Sequence, residues 1–294
     1  MNNNISFILP VWGNKFVYLC EKYLFFSLLK EKNIPFIYEN KVFDNLNLTI
    51  CTRKKDIPKF IGKNFYQLRK YFNIKFLESD HLLDKHKYKS FSNLNYYGFK
   101  ESNKSRFIMF IQPDHYYLND NMMNLSKQIG KVDIFFCSFL RTDYSKKNTS
   151  FYLNKKLKNL EIINYSIQNL HQNQKKLLID SNDFNNLSPS QLFMFESGYL
   201  ASKNFHTTPI LVDMNKAYGL DLKGTVDDAT FLDSFLKIKN FKFHFESDFK
   251  KFGLINFDQK NKIQKTFNKK LSLFKILKWT TRRVGFLHWK LFNT

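Results

Sequence analysis

Residues 106–120, RFIMFIQPDHYYLND, constrain the fold of this chain more than any other stretch. An unbroken apolar run at 107–111 is too short for a typical helix, and Pro113 and Asp114 end it. Such a run reads as a strand covered on both faces, the position of a central strand in a parallel sheet. The carboxylate of Asp114 then stands just past the carboxyl end of that strand. Open α/β sheets bind their ligands there, so Asp114 is a candidate site residue rather than an ordinary surface charge.

The neighbouring segments support a layered α/β fold. Residues 5–9 read as a buried strand and 10–14 as a turn. After the turn, Phe16, Leu19, Cys20, Tyr23, Leu24 and Leu28 recur three or four apart, as on a helix face. Further strands are expected at 35–38, 48–51, 74–77 and 132–136. Helices are expected at 57–71 and 121–130, with Gly130 stopping the second. The section between 78 and 105, which contains His81 and His86, reads as polar. Alternation of strands and helices over this length predicts a Rossmann-like parallel sheet flanked by helices.

The second half is less regular. A helical pattern covers 153–170, residues 180–190 are loop-like, strands are expected at 193–201 and 209–214, and a helix entered through acids is expected at 228–238. From Gln259 onward there is no acidic residue, whereas ten basic residues alternate with Phe, Leu and Trp. The expected organisation is one domain over 1–255 followed by a basic, aromatic, amphipathic C-terminal tail over 256–294.

The formal net charge is +22, from 47 basic and 25 acidic residues, a balance that draws proteins toward nucleic acid, anionic lipid or phosphorylated substrates. Only six of the basic residues are Arg, and Lys, Asn, Phe and Ile are enriched together, so part of the charge reflects the coding bias of an A+T-rich genome. Cys20, Cys51 and Cys137 are odd in number, widely spaced and set in apolar surroundings. They read as buried thiols in a reducing compartment, and they form no zinc motif. The first residues lack the pattern of a secretion signal, and no apolar run reaches the roughly 18 residues of a spanning helix. A cytoplasmic location is expected, peripheral on the inner face of the membrane if the tail binds lipid.

Five segments in order, ISFILPVWG, ICTRKKD, FIMFIQPDHYYLND, GYLASKNFHTTP and GTVDDATFLDSF, give residues 5–255 a resemblance to bacterial glycosyltransferase-like proteins of the GT-A fold. The resemblance implies a sheet that binds a nucleotide-sugar donor over its first βα loops. It also implies an Asp-x-Asp motif that holds Mn²⁺ or Mg²⁺ on the diphosphate, where the cation neutralises charge on the leaving group. Asp114 matches the first position of that motif, and Tyr116 stands at the third. Asp120 is six residues on and reaches the site only if the loop folds back.

The remaining candidates follow from the same comparison. Pro10, Trp12 and Gly13 after the first strand, and Thr52 and Arg53 after the next, lie where base and phosphates rest in this topology. Asp227 or Asp228 is the expected general base toward an acceptor hydroxyl, although both residues also suit a helix N-terminus. His206 is a candidate metal or diphosphate ligand, with Thr208 where a second histidine would be expected. Glu196 and Asp248 are further carboxylates that could meet acceptor or sugar. His171, His244 and His288 show no metal-ligand spacing and read as structural.

The implied partners are a nucleotide-sugar donor, a surface glycan or lipid-linked acceptor, and an anionic membrane met by the tail. The tail could equally pack on the domain. Nucleic acid is not expected, because no hallmark of a nucleic-acid-binding fold is present. The alternative to an enzyme is a non-catalytic protein that keeps the sheet and binds polyanionic glycan or nucleic acid.

Overall fold

The computed structural model describes residues 3–102, 104–137, 139–143, 149–175, 191–194, 200–203, 210–217, 235, 238–246 and 248–258. Seven strands form the main sheet: β1 (Ile5–Pro10), β2 (Leu46–Thr52), β3 (Asn73–Glu78), β4 (Phe107–Phe110), β6 (Ile134–Cys137), β10 (Ile210–Asp213) and β11 (Phe243–Glu246). Their order is β11-β6-β10-β4-β1-β2-β3. All run parallel except β10, which is antiparallel to both neighbours. The chain is therefore α/β with a mostly parallel sheet, as the alternation of apolar segments predicts.

Strand periodicity divides the core. Phe7, Leu9, Leu48, Ile50, Phe107 and Met109 face one layer, while Ile8, Cys51, Ile108, Phe110, Ile134 and Phe136 face the other. β4 is buried along its whole length because both faces are covered. On one side lie the helix Asn14–Leu19 with its continuation to Leu28, and the helices Ile34–Glu39, Lys63–Leu68 and Asn121–Ser126. The helix Lys87–Glu101 covers the other side. It approaches closely because Gly98 lacks a side chain: a Cβ there would lie 2.6 Å from Ile8 Cγ2 and 2.9 Å from Cys51 Sγ.

A second sheet stands at the end of β4. It has the order β5 (His115–Tyr117), β12 (Leu254–Asp258), β7 (Phe139–Asp143), with β12 antiparallel to β5 and parallel to β7. Its far face packs Tyr116, Leu140, Ile255 and Phe257 against Tyr23 and Tyr152. β12 runs through residue 255, so Asn256, Phe257 and Asp258 belong to this sheet. β8 (Gln191–Met194) and β9 (Leu200–Lys203) pair separately as an antiparallel ribbon, where the sequence suggests one strand over 193–201.

Three expectations need correction. Residues 35–38 are helical rather than extended, within Ile34–Glu39. Pro35 is preorganised for a first helical turn, and Asn33 fixes the chain just before it. The Asn33 side-chain amide donates to the carbonyls of Ser27 and Leu118, and its oxygen accepts the Met122 N–H. The helix expected over 57–71 is broken at Gly62 into a 3₁₀ turn, Lys54–Lys59, and the α-helix Lys63–Leu68. The polar section before β4 contains the 15-residue helix Lys87–Glu101, whose buried face is built of Ser90, Ser92, Leu94, Asn95, Gly98 and Phe99. So small and polar a face leaves little hydrophobic periodicity to read.

Among the described residues no helix is long and apolar enough to cross a membrane. Asp180 to Ser190, the expected helix at 228–238 apart from Phe235 and Ile238, and the tail beyond Asp258 lie outside the described residues.

Candidate functional site

The order β3-β2-β1-β4 places the reversal of chain direction across the sheet between β1 and β4. Open α/β sheets bind their ligands at the carboxyl ends of the strands at such a reversal. The strand ends are level. Val11 N–H donates to the Cys51 carbonyl, Ile111 N–H to that of Ile8, and Ser79 N–H to that of Thr52, at 3.0, 3.0 and 2.9 Å. Consequently Pro10, Trp12, Gly13, Thr52, Arg53 and Asp114 lie along one edge of one sheet.

The first loop is held by an ion cluster that sequence reasoning missed. Gly13 has φ 83°, a left-handed conformation that favours glycine, and its N–H donates to Asp56 Oδ2 at 2.8 Å. The same carboxylate accepts from Arg53 Nε at 2.6 Å and, through Oδ1, from Lys59 Nζ at 2.5 Å. Burial alone would raise the Asp56 carboxyl. The bonds from Arg53, Lys59 and Gly13 outweigh that cost and hold it down to about 2. An Asp three residues after an Arg, on a turn, looks like any solvated pair in sequence; only the fold brings Gly13 to it.

Around this cluster, a Cβ on Gly13 would lie 3.7 Å from an Arg53 guanidinium nitrogen, so the Arg53 head group borders the loop after β1. Thr52 is buried, with Oγ1 lacking a hydrogen-bond partner among the described residues. Pro10 is the buried last residue of β1, and Trp12 is half-buried against the layer containing Phe110 and Leu77. Asp80, past β3, is exposed and accepts the Lys54 N–H at 2.7 Å through Oδ2. It is another acid on this edge that the sequence reading passed over.

Asp114 lies in the turn immediately before β5 of the second sheet. Its carbonyl accepts the Phe257 N–H at 3.0 Å, and its half-buried carboxylate is bonded by Asn256. Burial pushes the Asp114 carboxyl up to about 6, and the charge of Asp258 adds to the rise. Its own backbone N–H, Asn256 and Arg141 oppose these effects without cancelling them.

Register explains the company Asp114 keeps. Asn256 lies opposite Arg141 and Asp258 opposite Asp143, so alternation puts these four side chains on the face away from the Tyr116 core. Arg141 Nε is 3.8 Å from Asp258 Oδ2, and Asp143 Oδ1 is 3.8 Å from Nε2 of buried His171. Gln174 supports the β7 edge, accepting the Arg141 N–H and donating to the Phe139 carbonyl at 3.1 Å. Asn256, Asp258, Arg141 and Asp143 are thus the functional candidates absent from the sequence reading. The stretch LINFD gives no motif signal, because its polar residues acquire meaning only from cross-strand pairing.

Other expectations resolve simply. Tyr116 is fully buried against Tyr152 and under the Lys30 ammonium, 5.1 Å from its ring, so the third motif position belongs to the core. The Asp120 side chain accepts from the Asn159 amide, and its backbone carbonyl accepts the Asn124 N–H at the start of the helix that follows. His171 is structural in its backbone, donating N–H to the Arg141 carbonyl. His244 stacks on Phe135 at 5.3 Å and contacts Glu246 at 3.3 Å. Asp248 turns the chain by accepting the Lys250 N–H. Asp227, Asp228, His206, Glu196 and His288 lie outside the described residues.

The resemblance implies a divalent cation. Among the described residues no three His, Cys, Asp or Glu side chains gather as a metal centre. Asp114 and Asp258 nevertheless provide two neighbouring carboxylates. Mg²⁺ needs one or two when substrate phosphates and water complete its shell, so the residues present fit such an ion.

No protein-family model matches the sequence, and no curated protein matches it. Among solved structures, the fold is similar to residues 1–349 of TarS from S. aureus, with TM-score 0.46 and 9% identity over 86% of this chain and 60% of that one. The UDP complex of the same fragment gives TM-score 0.45 and 10% identity, covering 88% and 61% of the two chains. The complex with UDP-GlcNAc gives 0.44 and 10%, covering 99% and 68%. This chain spans about three fifths of the length of the first two.

Proposed function

We propose that the chain is a GT-A-type glycosyltransferase that moves a sugar from a nucleotide-sugar donor to a surface glycan or glycolipid acceptor. The observation that carries this reading is Asp114 at the switch point of a parallel sheet, joined there by Asn256 and Asp258. A diphosphate needs positive charge, and the Arg53 guanidinium beside the Gly13 loop stands on the same edge as Asp114.

Asp114 and Asp258 would hold Mn²⁺ or Mg²⁺, and such an ion supplies neutralisation of charge on the departing diphosphate. Asn256 orients the Asp114 carboxylate, and Arg141 balances Asp258. In this proposal Asp227 or Asp228 takes the acceptor proton, His206 adds a ligand to the cation or diphosphate, and residues 1–255 with β12 form the catalytic domain ahead of the tail.

A thermal-shift panel of UDP-, GDP- and CMP-sugars, with and without Mn²⁺, tests the proposal. A ligand that binds only the folded chain raises its melting temperature, by about 5 °C at a hundredfold excess over Kd. One nucleotide giving such a rise supports transfer. No rise with any nucleotide, together with tight salt-sensitive binding to a polyanion, favours a non-catalytic protein instead.

A further inference from the structure

Beside this sheet edge lies a surface of which the proposed reaction uses only Arg53. Residues 53–70 contain seven Lys and Arg and a single acid, Asp56, which is buried and already neutralised by Arg53 and Lys59. The exposed side chains of the segment itself are therefore positive, and acids of the neighbouring strand end, Glu78 and Asp80, meet it only at Lys54. From the same segment Ile61 is 68% exposed and Tyr66 53% exposed.

The arrangement is ordered by helical spacing. Lys63, Tyr66 and Lys70 follow one another at i, i+3 and i+7, so they share a face of the helix Lys63–Leu68 and the turn after it. Lys15, Tyr18 and Lys22 repeat that spacing along the first helix and its continuation, with the Lys22 ammonium bonded to the Tyr18 hydroxyl at 2.6 Å. The two stripes are fastened together. Glu21 accepts the N–H groups of Asn64 and Phe65 at 2.8 and 3.1 Å, and Lys59 donates to Asn14 Oδ1 at 2.6 Å. Gly62 lies so close that a Cβ would meet the Glu21 carboxyl carbon at 2.0 Å. Ile61 stands at this junction.

Single exposed apolar residues are ordinary. An aliphatic tip flanked by two Lys-Tyr-Lys stripes, with no exposed acid in residues 53–70, matches one kind of partner in all its parts. Lysines meet anionic headgroups, tyrosines suit the interfacial level, and isoleucine gains by leaving water. A nucleic acid would use the charge and the tyrosine rings but has no use for the aliphatic tip.

We propose that this face, centred on Ile61, docks on an anionic lipid bilayer and holds the adjoining edge of the sheet, with Gly13 and Arg53, near the membrane surface. It is built from residues 15–22 and 53–70 and does not rest on the donor-binding reading, since lipid binding is measured without nucleotide. The test is co-sedimentation of the full chain with vesicles of pure phosphatidylcholine or of phosphatidylcholine with 30% phosphatidylglycerol. The wild type should pellet only with the anionic vesicles. Lys55→Glu, Lys63→Glu and Lys70→Glu together should weaken partitioning at least about a hundredfold, and Ile61→Ser about tenfold, with the tail intact in both. An environment-sensitive fluorophore on Ile61→Cys should shift to the blue on anionic vesicles, while the same label on Lys131→Cys, at the opposite sheet edge, should not. Wild-type binding by the triple variant, an unmoved label at position 61, or tighter binding of single-stranded RNA than of vesicles would each overturn the proposal.

Discussion

At the residue scale, two aspartates on one sheet edge are driven in opposite directions. Asp56 is pulled down to about 2 because its three donors outweigh its burial, whereas Asp114 is pushed up to about 6 because burial and Asp258 outweigh Asn256 and Arg141. For Asp114 the folded value lies above the ordinary 3.8. The associated stability is fully present below that value and is lost as the pH rises through about 6. Asp114→Asn should therefore be more stable than the wild type at pH 7.5, by about 1–3 kcal/mol in a denaturant titration, with the gap narrowing toward pH 4.5. The same variant should lose the nucleotide-dependent thermal shift, which separates a site carboxylate from a structural one. Asp56 behaves in the reverse sense: its contribution is present above 3.8 and is lost as the pH falls through about 2. Asp56→Ala strands Arg53 and Lys59, and because those two keep some contact with water the expected loss is about 2 kcal/mol. Donor affinity should fall with it, read by titration of nucleotide against the variant, since Gly13 loses its anchor.

At the element scale, the packing of the helix Lys87–Glu101 against β1 and β2 depends on one missing side chain. Gly98→Ala would gain helix propensity but drive a methyl into Ile8 and Cys51, both fully buried. Overpacking of this kind costs about 1–3 kcal/mol, so a net loss of stability is expected in urea unfolding, and Cys51→Ala in the same chain should recover part of it. The helix also shows where pattern reading fails. Its buried face is mostly Ser, Asn and Gly, which pack closely without an apolar stripe. Conversely, 35–38 has strand-like composition yet is helical, because Pro35 and the bonds of Asn33 set the local geometry.

At the scale of the whole molecule, the three thiols report on a closed core. Cys20, Cys51 and Cys137 are free and buried; burial pushes Cys51 up to about 12 and the other two well above the ordinary thiol range. Native protein should resist alkylation by iodoacetamide until denatured, and its melting temperature should be the same with and without reductant. Mass spectrometry of the alkylated chain checks both the burial and the absence of a disulfide among them.

The sequence by itself determined the parallel strands, because a strand covered on both faces must be almost wholly apolar, and 5–9, 48–51 and 107–111 carry that mark with only Ser6 and Thr49 as exceptions. It also placed Asp114 at a strand end, since proline and aspartate terminate such runs. Tertiary structure alone decided what surrounds Asp114. Asn256 and Asp258 are some 140 residues away in sequence, and the pairing of β12 with β5 and β7 brings them to it. It likewise turned Tyr116 from a motif position into core, and Asp56 from a surface acid into the anchor of Gly13. The physical reason is range: periodicity and turn chemistry act over a few residues, whereas charge, burial and cross-strand register act between segments that only the finished fold makes neighbours.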